Sequence, residues 1–396
     1  MRRRAFLPAL PALPALLARP LRAQADRVVM LGDAATQAML SGGPGGMVAG
    51  DGIVWTISDT PHERALRDAG LAQGSYDLAL LPHHLVTPRV ATLFLPLEEA
   101  VEDIPPAFRR AFTLDGRLYG LPFAQVTQAL FRNTAIARDA PAPGTAAAML
   151  AACRAAAGRR PDGSAVAGLV ADGPGLAIDL ARLWDGDVLD AALALRVTEP
   201  AMLRGLEALS ALFAEGALPR TLPRFTPADA LRDMQAGRGA FALAPFLRHG
   251  LLNRPGASRD AGRIEVSAVP GVEGQAAPVT VALRALVIPR NAANPDGARR
   301  ALGRLGGVEA AVRAGLNGNG PTRLAALADP RYRAAVPWAA AEEAAVRVAR
   351  PALPPFAQAA RAEAIIRAEV EAMLVRPRTA AETAERLAFR LRPLLA

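Results

Sequence analysis

After residue 27 the chain opens with short apolar runs separated by a stretch of helical spacing. Val28 to Leu31, Ile53 to Ile57 and Asp77 to Leu81 each read as a strand, and Pro61 to Leu71 between the last two reads as a helix. Strands alternating with helices predict an α/β fold with a largely parallel sheet. Farther on the pattern turns helical. Thr198 is placed to cap a helix with Pro200 in its first turn, which buries Met202, Leu206, Leu209 and Phe213 and stops at Gly216. Thr226-Pro227-Ala228-Asp229 begins another helix that ends near Gly237 and feeds the apolar run Ala240 to Ala244. Asn294-Pro295 starts a third after the run Ala285 to Pro289, closing at Gly306-Gly307. Thr379-Ala380-Ala381-Glu382 reads as a capping box ahead of Ala384, Leu387 and Leu391. No internal repeat or low-complexity linker divides the chain. Two lobes would therefore exchange the chain more than once.

Composition narrows the class. The 396 residues are 52% apolar and 21% charged, which excludes disorder and fibrous repeats and allows about two domains. The 46 basic and 37 acidic residues give +9, which by itself suggests a nucleic-acid or anionic-membrane partner. Every basic residue is arginine, however, and five of them (Arg2, Arg3, Arg4, Arg19 and Arg22) fall in residues 1–25, which hold no acid. That segment reads as a signal peptide. It has a basic start, an apolar stretch from Ala5 to Leu17 and an Ala23-Gln24-Ala25 cleavage site, and the stretch falls short of the ~20 residues that span a bilayer. Arg3-Arg4-Ala5-Phe6-Leu7 resembles a twin-arginine core; an ordinary export signal is the alternative, because Pro8, Pro11 and Pro14 interrupt the apolar stretch. Without residues 1–25 the balance is 41 basic against 37 acidic, scattered without a stripe, so no nucleic-acid partner is expected. Cys153 can form no internal disulfide, and no cysteine follows the cleavage site to take a lipid. The expected location is free in the periplasm.

The catalytic inventory is poor. His62, His83, His84 and His249 are the only histidines, and neither H-E-x-x-H nor G-x-S-x-G occurs. His83 and His84 are neighbours that would point to opposite faces of a strand, so they read as loop histidines at a strand end, where α/β folds bind ligands. Cys153, within Ala-Ala-Cys-Arg-Ala-Ala, reads as a small buried helical residue. No cofactor, metal site or catalytic residue is expected. Nothing singles out a carboxylate pair, so a secreted hydrolase acting on carbohydrate stands only as an alternative.

Asp115-Gly-Arg-Leu-Tyr-Gly-Leu-Pro-Phe123, followed by Leu130-Phe-Arg-Asn133, resembles a signature of the extracellular solute-binding proteins of ABC importers, in the family that includes maltose-binding protein. Arg117 stands where that family has lysine, and Phe131-Arg132 where it has an aromatic pair. Leu95-Pro-Leu97, Asp103-Ile-Pro105, Met234-Gln-Ala-Gly-Arg-Gly-Ala-Phe241, Val269-Pro270, Ile288 to Pro295 and Gly318-Asn-Gly-Pro-Thr322 resemble further family segments in the family's order. The resemblance spans nearly the whole chain after residue 25.

The resemblance implies a two-lobed periplasmic binding protein fold, each lobe a sheet flanked by helices, joined by a hinge of several crossings near Phe123 to Ala129, Val279 to Arg284 and Asn317 to Thr322. Lobe one would hold residues 26–124 and 284–317, lobe two residues 125–283 and 318–396. A monomer would close on a small solute and present it to an ABC permease in the inner membrane; an orphan solute sensor of the same fold is a further alternative. The implied cleft residues are His83, His84, Gln125, Thr127, Asp172, Phe246, Arg284 and Phe356. Gln125 and Thr127 could instead be hinge polar groups, Phe246 and Phe356 core, and Arg284 an ion-pair partner. Sugars are the family's commonest solutes. The sparse aromatics here, 5% of the chain, leave room for a smaller polar or anionic solute, an anion being favoured by Arg284 and the histidines.

Overall fold

The computed structural model describes residues 27–395 except 51, 99–101, 139–140, 172–174 and 225. The expected export signal and the candidate Asp172 lie outside the described residues. The strands, in chain order, are β1 (Val28–Gly32), β2 (Ile53–Ile57), β3 (Leu78–Pro82), β4 (Thr113–Leu114), β5 (Arg117–Leu118), β6 (Leu121–Asn133), β7 (Gly158–Arg159), β8 (Ala165–Val170), β9 (Gly239–Pro245), β10 (Ile264–Ser267) and β11 (Val281–Val287). β4 and β5 form a small hairpin. The others join in one hydrogen-bonded sheet of order β2-β1-β3-β11-β6-β9-β8-β7, with β10 also on β6.

The sheet is mixed where the opening pattern predicts a largely parallel one. β1 is parallel to β2 and β3, and β8 is parallel to β9, but β11 runs antiparallel to both β3 and β6, and β6 antiparallel to β9 and β10. The reason is the chain path. β6 is 13 residues long, roughly 43 Å at strand rise, so its first half pairs with β11 and its second half with β9. Val281 lies opposite Thr127, Arg284 opposite Ala124, and Gln128 opposite Pro245.

Two separate cores hang from this shared strand. The first gathers Met30, Leu31, Leu78, Leu80, Phe94, Phe108, Leu286 and Leu302; the second gathers Met149, Leu169, Leu180, Leu206, Leu209, Leu243, Ile366 and Leu387. A smaller cluster around Phe131, Val170, Met234 and Phe246 backs the second sheet half. Residues 318–396, grouped in lobe two by the sequence reading, divide between them. Leu327, Tyr332, Ala339, Val346 and Ala349 fill the first core, Ala345 packs on the third cluster, and Leu353 onward fills the second core. The segment Asn317–Thr322 runs along β6, where the Gln125 N–H donates to the Gly320 carbonyl at 3.0 Å and Thr322 Oγ1 to the Pro122 carbonyl at 2.8 Å. The chain passes the hinge again at Arg350, whose N–H bonds the Val279 carbonyl while its own carbonyl accepts from Val281, both at 3.1 Å.

Local signals account for the helix starts. Asn294 caps Pro295–Leu305 by accepting the Gly297 N–H, and the Thr379–Glu382 capping box starts Ala380–Leu391. Thr226 and Asp229 form the box that starts Pro227–Gln235. The helix expected behind Thr198 is present as Pro200–Ala214, but its cap position is Glu199 with no side-chain bond, so Pro200 and the apolar face carry that start. The glycine-rich turn Ser41–Gly46 is held by Asn317: its Oδ1 accepts the Gly45 N–H at 2.7 Å, and its Nδ2 donates to the Met39 and Gly46 carbonyls.

Candidate functional site

The carboxyl ends of β1, β3, β8 and β9 converge on β6, which places the ligand crevice of an open α/β sheet over the middle of that strand. Strand alternation then divides the side chains. Ala124, Val126 and Gln128 share one face of β6 with Arg284 and the exposed Ala282 of β11, whereas Gln125 and Thr127 point the other way. The first face is a bare floor between two groups of polar residues.

The first-core side of that floor is built at strand ends. Asp33 follows β1 and caps the helix Ala34–Ser41 by accepting the Thr36 N–H at 2.7 Å; Arg284 Nη1 reaches its Oδ2 at 3.2 Å. Burial works to raise the Asp33 carboxyl, but the Thr36 hydrogen bonds and Arg284 outweigh it and hold it below the ordinary range. His62 Nδ1 lies 3.2 Å from the Leu80 carbonyl, and burial lowers its pKa. His83 and His84 form a short turn after β3, their rings edge-on at 5.8 Å. The Leu283 N–H donates to His83 Nδ1 at 3.1 Å, and burial pushes this imidazole down to about 4, so it is neutral near pH 7.

His84 is exposed and meets the other core. With Thr87 and Arg89 it faces Phe356, Ala359 and Ala360 across a cavity of about 190 Å³. Glu363, one turn further along the helix Ala359–Val375, sits where burial raises its pKa while the charges of His84 and Arg367 oppose that rise. Beyond the floor, Gln128, Asp179 and Thr280 line a second cavity of about 80 Å³.

The structure thus places His83 and Arg284 at the end of β3, sets His84 and Phe356 on one cavity, and places three other expected residues elsewhere. Gln125 and Thr127 are buried and engaged: Gln125 Oε1 accepts the Thr127 N–H at 2.8 Å and its hydroxyl at 2.6 Å, and Gln125 Nε2 donates to Glu342 Oε1 at 2.6 Å. They face the helix Ala339–Val348, because odd positions of β6 point away from the floor. Phe246 is 2% exposed within the third cluster, so its ring is core. Phe356 belongs to the second core and also lines the cavity. Asp33, His62, Gln128 and Asp179 are the groups that sequence reasoning missed. The end of β1 pointed to Asp33, and alternation along Leu121–Asn133 pointed to Gln128.

Two larger cavities, about 340 and 870 Å³, share Ala107, Arg110, Arg182 and Arg350. Size alone would favour them. They lie away from the strand ends, and Arg182 and Arg350 are committed there to Asp187 and Asp185, so the crevice over β6 is the better candidate. Among the described residues, no three His, Cys, Asp or Glu side chains are grouped to hold a metal, and no helix is long and apolar enough to cross a membrane.

Comparison with known proteins follows the same lines. A family model described as bacterial extracellular solute-binding protein matches residues 57–300. No curated protein matches the chain. Among solved structures, the sugar-binding protein MalE from Xanthomonas citri is similar at TM-score 0.75 and 17% identity, covering 93% of this chain and 97% of that one. Maltose-bound T. maritima MalE3 gives 0.72 at 18%, covering 93% and 99%. An ABC transporter solute binding protein from Agrobacterium radiobacter K84 in complex with ribitol gives 0.67 at 16%, covering 86% and 90%. At these identities the likeness is one of fold.

Proposed function

Because the chain belongs to the bacterial extracellular solute-binding proteins, we propose that it is the substrate-binding component of an ABC importer, which captures a small polar solute, sugar or sugar-like, between its two cores and delivers it to a membrane permease. The observation that carries this reading is the crevice itself. Two cores with no shared residues face each other over one bare stretch of strand, and both contribute to the same cavity. A solute that touches both sides favours the closed arrangement by its differential affinity, which is all that capture requires.

The charges favour a neutral, hydroxylated solute over the anion suggested by the sequence. Arg284 is already neutralised by Asp33, and His83 is held uncharged by burial. An aspartate, an arginine and the neutral imidazole of His83 offer donors and acceptors together, as hydroxyl groups require. The solutes named for the similar structures, maltose and ribitol, belong to this class.

We propose further that residues 1–25 direct export and are removed, leaving the protein free and monomeric in the periplasm. Isothermal titration against maltose, tagatose, ribitol and small carboxylates tests the solute, and small-angle scattering with the bound solute tests closure. Saturable binding of a sugar or polyol with a fall in radius of gyration is expected. Product formation would replace this reading with the hydrolase, and binding by a protein that fails to stimulate any permease would replace it with the sensor.

A further inference from the structure

Gln128 stands where β6 leaves β11 for β9. Its N–H donates to the Thr280 carbonyl at 3.2 Å, and its partner in register is Pro245. Its side-chain oxygen is buried and has no hydrogen-bond partner. A buried acceptor in this state is uncommon in a native structure and calls for a donor to complete it. The surroundings say what. The cavity of about 80 Å³ that Gln128 lines also holds Asp179, whose Oδ1 accepts the Thr280 N–H at 2.8 Å, and the Thr280 hydroxyl, which is shared between Asp179 and Arg182. The Gln128 oxygen and the Asp179 carboxylate are acceptors and the Thr280 hydroxyl is already committed, so the partner that completes Gln128 Oε1 is a donor carried by the ligand. The remaining walls, among them Ala171, Leu176, Leu243 and Ala352, are apolar.

We infer that this cavity receives a hydroxymethyl end of the bound solute, its methylene against Leu176 and Leu243 and its O–H donating to Gln128 Oε1. This rests on the solute-binding reading of the crevice and adds a specificity-determining residue to it. The volume exceeds one water, whose share of liquid is about 30 Å³, and suits a carbon with its hydroxyl. The cavity also adjoins the end of β8, continuous with the strand ends that define the crevice. A solute spanning from the Asp33–Arg284 pair to Gln128 would touch both cores at once.

The experiment has a structural arm and a binding arm. Crystals soaked in glycerol should show a terminal hydroxyl ~3 Å from Gln128 Oε1, and water alone in the cavity would overturn the inference. In titrations with ribitol and the sugars above, Q128L and Q128N should each bind the best of them at least about tenfold more weakly, with melting temperatures near that of the parent. The asparagine variant keeps the amide but shortens its reach, so a loss there cannot come from an apolar core change. Unchanged affinity in both variants would reject the role of Gln128 while leaving solute capture standing. Failure of the parent protein to bind any of the titrated sugars, ribitol or carboxylates would reject capture itself, and a glycerol hydroxyl on Gln128 Oε1 in the soaked crystals would then still support a hydroxyl pocket.

Discussion

Gln125 and Glu342, separated by 217 positions in sequence, are joined by a buried hydrogen bond of 2.6 Å from Gln125 Nε2 to Glu342 Oε1. The other carboxylate oxygen accepts from Tyr332 at 2.8 Å, and Gln125 Oε1 collects both donors of Thr127. Four side chains thus satisfy one another on the closed face of β6 and fix the helix Ala339–Val348 to the strand that links the cores. This network sits at the hinge, where rigid registration decides how the two sides of the crevice meet. Burial raises the Glu342 carboxyl while its two donors oppose that rise.

Removal of one donor should therefore cost far more than an ordinary surface change. Gln125→Leu strands a buried carboxyl oxygen, and ~2–4 kcal/mol of lost stability is expected in urea denaturation. Tyr332→Phe removes a single O–H to the same group and should cost ~1.5–3 kcal/mol. A loss below about 0.5 kcal/mol in both would show that the network is not a fastening of the hinge.

Arg182 makes a second fastening. It is 1% exposed, pairs with Asp187 at 2.8 Å, and donates to the carbonyls of Arg350 at 2.7 Å and Pro351 at 2.6 Å. The guanidinium fork is used for geometry as well as charge, so lysine is no substitute. Arg182→Met leaves Asp187 with Arg350 alone and takes the donor from the Pro351 carbonyl, while the Arg350 carbonyl keeps only the Val281 N–H; a destabilisation of ~3–5 kcal/mol is expected, with Arg182→Lys still costing more than half of it. Equal stability of the lysine variant and the parent would contradict the fork.

Much of this architecture was legible in order of local signal. The strands at Val28, Ile53 and Asp77, the caps at Asn294 and Thr379 and the burial of Cys153 follow from periodicity and capping chemistry, which are properties of neighbouring residues. The direction of β11 did not follow, because nothing local to Val281–Val287 says that it will lie between β3 and β6. The site was legible to about the same depth. His83 and Arg284 lie at the strand ends that their places in the chain imply, whereas Gln125 lies on the face of β6 opposite to that of Gln128. The two differ only in which face of a strand they occupy, and that face is set by the long-range partner Glu342.

Acid should loosen the protein partly through His83. Its folded pKa, about 4, lies below the ordinary 6.5, so between these values the unfolded chain binds a proton that the folded chain refuses. Its contribution to stability is therefore full above pH 6.5 and lost as pH falls toward 4, at up to about 1.4 kcal/mol per pH unit. His62 and His249, lowered by burial, act in the same direction, whereas the raised carboxyls of Asp179 and Glu342 oppose it. The comparison that isolates His83 is the difference in unfolding free energy between the parent and His83→Gln from pH 7 to pH 4.5. That difference should shrink steadily on acidification; a pH-independent difference would mean His83 does not titrate as its burial dictates.

Arg284 and Phe246 separate binding from packing. Both were expected in the crevice, but Arg284 is 40% exposed beside Asp33, and Phe246 is enclosed by Phe131, Val170, Met234 and Leu252. Truncation of a partly solvated ion-pair partner should scarcely move stability, since exposed pairs contribute ~0–1 kcal/mol. The same truncation withdraws donors from the floor and leaves Asp33 without its arginine, so Arg284→Ala should weaken solute binding about tenfold or more. Phe246→Ala should do the reverse, with ~3–5 kcal/mol of stability lost to the cavity left behind and the affinity of the folded fraction within about threefold of the parent. Denaturant unfolding and calorimetric titration of the two variants side by side read both effects. A large affinity loss in Phe246→Ala, matched by none in Arg284→Ala, would move the solute from the face of Arg284 and Gln128 to the opposite face of the sheet.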